Sequence, residues 1–143
     1  MSRKEAGCLI VRAGGRRVGL SLDQVVEVLL PGAVHPVPSV EGAVRGVTMI
    51  RGRILPLVHL GALLEGGNCP LERGEVAIVV ELAGRRICLE VEEAESVLQE
   101  PGVSVPAGSS LSWAAALIRM GDGLVPLLDL PAVASRIVEA TAA

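Results

Sequence analysis

The chain has 143 residues, 50% of them hydrophobic but only 1% aromatic, with one Trp, no Tyr or Phe, and a formal net charge of −3. That profile describes one domain, or two very small ones in contact, with a core of Val, Leu, Ile and Ala. It excludes a disordered chain, a module that stacks bases on aromatic rings and a basic field that draws phosphates.

From the N-terminus, the apolar run Cys8–Val11 ends at Arg12 and is too short for the core of an export signal. Val18, Leu20 and Leu22 alternate with Gly19 and Ser21, which predicts a strand, and Ala13-Gly14-Gly15 supplies the hairpin turn before it. Asp23–Glu27 reads as one helical turn begun by an Asp cap. Gly52-Arg53 marks a second hairpin. The longest mostly apolar stretch, Ile54–Leu64, holds Pro56 and His59 and cannot make the roughly 20-residue helix that spans a bilayer. The polar segment Glu65–Glu75, with Gly66-Gly67-Asn68, is the connector. Val76–Leu82, apolar but for Glu81, reads as a central strand. Ala83-Gly84 turns it into a second alternating run, Ile87, Leu89 and Val91 against Cys88 and Glu90. Eight of the 16 acids lie between Glu72 and Glu100 and read as a solvated turn or an electrostatic docking patch. Gly121-Asp122-Gly123 marks the last hairpin. Pro131–Ala140 is the best helix, with Asp129 before it, Pro131 in its first turn and Val133, Ile137 and Val138 as an apolar stripe. Short strands between Gly and Pro turns predict an all-β fold of small barrels.

The chain repeats itself. Gly15–Leu22 resembles Gly84–Val91 at an offset of 69, and Ile54–Leu60 resembles Leu124–Leu130 at an offset of 70. Met49-Ile50-Arg51-Gly52 is matched with Leu117-Ile118-Arg119-Met120-Gly121. Two halves of roughly 70 residues, split near 65–75, follow; each is too small for a core of its own, so they lean on each other and their seam offers a groove.

The chemistry-bearing residues are sparse. Cys8, Cys69 and Cys88 form no C-x-x-C pair and His35 and His59 stand far apart, so neither a metal nor a cofactor is expected. His35, His59, Ser21, Asp23 and Cys8 make no nucleophile elbow, phosphate cradle or paired-carboxylate motif, so no enzyme is expected. Three cysteines and no export signal fit a reducing cytoplasm.

Gly46-Val47-Thr48-Met49-Ile50-Arg51-Gly52-Arg53-Ile54-Leu55-Pro56-Leu57-Val58 resembles the signature of the CheW-like domain family. Val18–Val28, with Val25, Glu27 and Val28, Gly84–Val97 and Leu124–Leu130 agree with the same family, and the resemblance covers residues 8–138, leaving 1–7 and 139–143 as flexible ends. It implies two five-stranded SH3-like barrels packed side by side, with short helical turns and a C-terminal helix. It implies a non-catalytic, stand-alone adaptor of bacterial chemosensory arrays. Such an adaptor couples the cytoplasmic tip of a chemoreceptor, lying between the barrels, to the regulatory domain of the histidine kinase CheA. It would be cytoplasmic and recruited to membrane arrays through its partners, with no membrane insertion and no nucleic acid. The alternative is a regulatory or assembly module of another chemosensory pathway that binds the kinase without receptor contact. The receptor-binding set implied is Val25, Glu27, Gly46, Arg51 and Gly52, with Arg51 paired to Glu27; no kinase-binding residues are assigned. Taken from the residues alone, Arg51 is equally a structural ion pair, Val25 a core residue, Gly46 and Gly52 backbone devices, and Arg45 a solvated charge. The chain departs from the family at His59, where an Asp is usual, at Gly61, where an Arg is frequent, and at Trp113, a candidate partner anchor or a core ring given room by Ala114–Ala116. The first strand, Leu9–Arg12, lacks the usual aromatic.

Overall fold

Tight turns set the strands. Cys8–Ala13 (β1) pairs with Arg16–Ser21 (β2), Val44–Ile50 (β4) with Arg53–His59 (β5), Val76–Leu82 (β6) with Arg85–Val91 (β7), and Ala114–Met120 (β10) with Gly123–Leu128 (β11). Between them lie Val25–Leu29 (β3), Glu93–Leu98 (β8) and Gly102–Ser104 (β9). Two helices follow β5 and β11: Leu60–Glu65 (α1) and Leu130–Thr141 (α2). The computed structural model describes residues 7–39, 41–99, 102–104 and 111–141; the expected N-terminal tail, Gly7 excepted, and the end of the C-terminal one fall outside them. Both residues of the β1–β2, β4–β5 and β6–β7 turns have positive φ, the geometry that matches the right-handed twist of paired strands.

The strands form two sheets, ordered β8-β1-β2-β11-β10-β9 and β3-β6-β7-β5-β4. The repeat and the sheets divide the chain differently. The second sheet is built from the contiguous stretch Val25–Val91, which takes strands from both repeats; the first joins the two ends of the chain. Exchanging the repeats turns β8-β1-β2-β11-β10 into β3-β6-β7-β5-β4. The correspondence reaches single residues: Cys8 is opposite Leu98 as Ala77 is opposite Leu29, and Leu127 meets Gly19 across a parallel ladder as Leu57 meets Cys88. Even the bulges repeat, at Val25/Glu27 and Ile10/Val11, and at Val44/Gly46 and Ala114/Ala116.

Each sheet encloses a small apolar interior. One holds Leu55, Leu57, Ala77, Val79 and Cys88; the other holds Cys8, Ile10, Ile118 and Val125. The main core instead takes residues from both sheets and both helices, including Val18, Leu20, Val58, Leu60, Ile78, Leu89, Leu130 and Ile137. Two small barrels are stabilised chiefly by burying apolar area against each other. The seam expected as a groove is filled by this core.

Three sequence expectations change. The helical turn expected at Asp23–Glu27 is a 3-10 turn at Leu22–Gln24 with no side-chain cap bond, and the chain is already extended at Val25. The acid-rich stretch after Val91 is not a solvated turn, because Glu93–Leu98 is strand β8. The hairpin read at Gly52-Arg53 turns at Arg51-Gly52. The ladders also correct one repeat match: Arg119 faces Leu124 as Met49 faces Ile54, so Arg119 occupies the place of Met49, and Gly121 that of Arg51.

Candidate functional site

β3 and β4 are the two edges of their sheet and share no ladder. An ion pair spans the seam between them. Arg51, at the tip of the β4–β5 turn, donates from Nε to Glu27 Oε2 at 3.0 Å and from Nη2 to Oε1 at 2.8 Å. This is the two-pronged geometry in which a guanidinium matches a carboxylate. Hydrogen bonding from Arg51 holds the Glu27 carboxyl below its ordinary range, and the same bond raises Arg51. Arg51 remains 74% exposed in its side chain, so its outer face stays open to a partner. Its φ of 51° lies in the left-handed region that favours Gly or Asn, so the side chain is kept at a conformational cost. Ala83 pays the same cost at the β6–β7 turn, so strain alone does not single out Arg51.

Apolar side chains stand out on the same strands. Val26 and Val28 flank Glu27 and are exposed, as are Met49 and Ile54, which face each other across β4 and β5 just before the Arg51-Gly52 turn. The structure therefore brings Glu27, Arg51 and Gly52 together. Of the other two residues of the expected receptor-binding set, Val25 is half-buried and packs against the main core, and Gly46 is buried. A Cβ at Gly46 would lie 2.4 Å from the His35 carbonyl oxygen, so glycine there lets the β3–β4 loop bond to β4 through His35 and Val47.

A second charged cluster was not legible in the sequence. Glu90 on β7 is fully buried. Its carboxylate accepts from Arg45 Nε at 2.8 Å, Arg73 Nε at 2.7 Å and the Gly74 amide at 3.0 Å. Arg45, read as a solvated charge, is 13% exposed in its side chain and donates onward to the Pro70 and Glu72 carbonyls, fastening the connector. Cys88, two residues before Glu90 on the same strand face, is buried as well, so that face points into protein. Other acids are also taken up internally: Glu95 bridges Arg12 and Arg17, and Glu92 accepts from the Gly15 amide.

Trp113, the candidate anchor, is 8% exposed, lies in the main core and has the Arg16 guanidinium 5.9 Å from its ring centre. Buried in that core, the ring leaves little of its surface open to a partner. Gly61 replaces a side chain because none fits: a Cβ would sit 2.7 Å from the Gly14 amide nitrogen.

Three of the residues weighed for catalysis, Cys8, His35 and His59, have structural settings. Burial raises the Cys8 thiol and pushes Cys88 up to about 12, His35 lies in the bridge to Val47, and His59 caps α1. Among the described residues no cluster of His, Cys, Asp and Glu has a metal-holding arrangement, and no helix is long and apolar enough to cross a membrane.

Compared with known proteins, residues 7–138 match the model of the CheW-like domain. Over 67 residues the chain is 35% identical to Protein FrzA of Myxococcus xanthus; the match spans 47% of this chain and 42% of that protein. The crystal structure of scaffolding protein TtCheW from Thermoanaerobacter tengcongensis superposes with a TM-score of 0.76 at 18% identity, covering 87% of this chain and 89% of that one. Likeness at that identity shows the fold, two SH3-like barrels side by side, as the family resemblance implied.

Proposed function

The chain belongs to the CheW-like domain family, a family of non-catalytic chemosensory scaffolds, and from that premise we propose that it is an adaptor coupling chemoreceptor tips to the histidine kinase CheA. It works in the cytoplasm and reaches the membrane only through its partners. The Arg51–Glu27 pair carries the reading. It is a surface arginine held in one orientation by a carboxylate, at a turn whose backbone disfavours it, beside exposed Val26, Val28, Met49 and Ile54. A fixed donor beside apolar surface suits an amphipathic helical partner that presents an acid next to its apolar stripe.

The test is capture of a receptor cytoplasmic fragment and of the kinase regulatory domain by the purified chain. Arg51→Ala is expected to keep its circular dichroism and lose receptor capture while still binding the kinase. Receptor capture unchanged by Arg51→Ala would move the contact elsewhere. Kinase capture with no receptor capture by the unsubstituted chain would favour the alternative, a module serving the kinase alone.

A further inference from the structure

His59 and Asp129 occupy the same place in the two halves, His59 ending β5 and Asp129 directly following β11, each immediately before a helix. Each side chain accepts from the amide three residues on; the Ala132 amide also donates to the Asp129 carbonyl at 3.1 Å. His59 Nδ1 accepts from the Ala62 amide at 3.0 Å, and Asp129 Oδ1 accepts from the Ala132 amide at 3.2 Å. A carboxylate keeps its acceptor throughout the neutral range. An imidazole keeps it only while Nδ1 is unprotonated, and protonation turns that nitrogen into a donor facing another donor.

The capped helix is more than local. Gly61, in the first turn of α1, packs against the Gly14 backbone at the β1–β2 turn, so α1 joins the sheet that it follows to the other sheet. His59 is also the ladder neighbour of Glu90. We propose that His59 is an acid-sensitive cap: on mild acidification it releases α1 and loosens the contact at Gly14, while Asp129 holds α2 in place.

The surrounding charges pull both ways. Glu90 from β7, Glu92 just after it and Glu65 from the end of α1 favour the imidazolium; Arg45 from β4 opposes it. Burial outweighs them and lowers His59 below its ordinary value near 6.5. The folded pKa is thus below the unfolded one. The cap's contribution is full above the unfolded pKa and is lost as pH falls through the folded pKa.

The experiment is amide exchange by NMR on the full chain between pH 7.5 and 5, corrected for intrinsic exchange, with the His59 ring followed in the same samples. Protection of the Ala62 amide should fall roughly fivefold, the scale of one lost cap, along the His59 titration curve, while Ala132 stays level. His59→Asn, a cap that does not titrate, should abolish the fall, and His59→Asp should do the same. Ala62 protection that ignores the His59 titration, an equal fall in His59→Asn, or a ring proton on Nδ1 at neutral pH would each overturn the proposal. The wild-type titration decides by itself if the variants do not fold.

Discussion

The seam between β3 and the β4–β5 turn and the seam between β8 and the β10–β11 turn share ladder register and bulges. They also share exposed apolar residues, Val28 with Val97 and Ile54 with Leu124. Their polar content differs. Glu27 corresponds to Ser96 and Arg51 to Gly121, so a two-pronged ion pair in one seam becomes a glycine and a hydroxyl in the other. Ser96 Oγ is buried and has no hydrogen-bond partner among the described residues. Likewise Glu90 corresponds to Ser21, and Arg45 to Ala115. The apolar pattern therefore suffices for the barrel, and the extra charges of the Val25–Val91 sheet and its connector do something further: they fasten the connector and orient a surface arginine.

The comparison breaks most severely at Glu90. Glu90→Ala leaves Arg45 and Arg73 without their buried counter-charge and should cost about 3–5 kcal/mol in urea unfolding. A loss near zero would mean that the cluster is dispensable to the fold. Gly61→Ala forces a methyl group into the Gly14 backbone and should cost about 1–3 kcal/mol; wild-type stability would show that α1 shifts freely, and would weaken the link between helix and turn. The smallest effect is expected in the other seam. Ser96→Ala removes an orphaned hydroxyl and should leave stability unchanged or raise it by up to about 1 kcal/mol; a clear loss would reveal a polar tie across the second seam as well.

How far the sequence could be read depended on where the period held. β2, β6 and β7 alternate or run apolar without interruption, and their turns carry glycines, so both strands and hairpins were legible. β3 and β8 were not, because a bulge inserts a residue at Val26 and at Glu95 and breaks the alternation. α1 was hidden for two reasons: its cap is a histidine, and Gly61, a poor helix former, sits in its first turn. Of the site, the Arg51–Glu27 pairing was implied by the family resemblance and is present. The Glu90 cluster was out of reach, since its two arginines lie 45 and 17 residues away along the chain.

By itself the sequence determined the class of fold, the repeat and the turns, because periodicity and positive-φ positions are written in neighbouring residues. Only the tertiary structure decided which strands share a sheet, which acid is buried, and that Trp113 fills the core while Arg51 faces outward. Those outcomes depend on contacts between residues far apart in the chain, and burial, which sets the cost of every charge, exists only once both sheets have closed on the shared core.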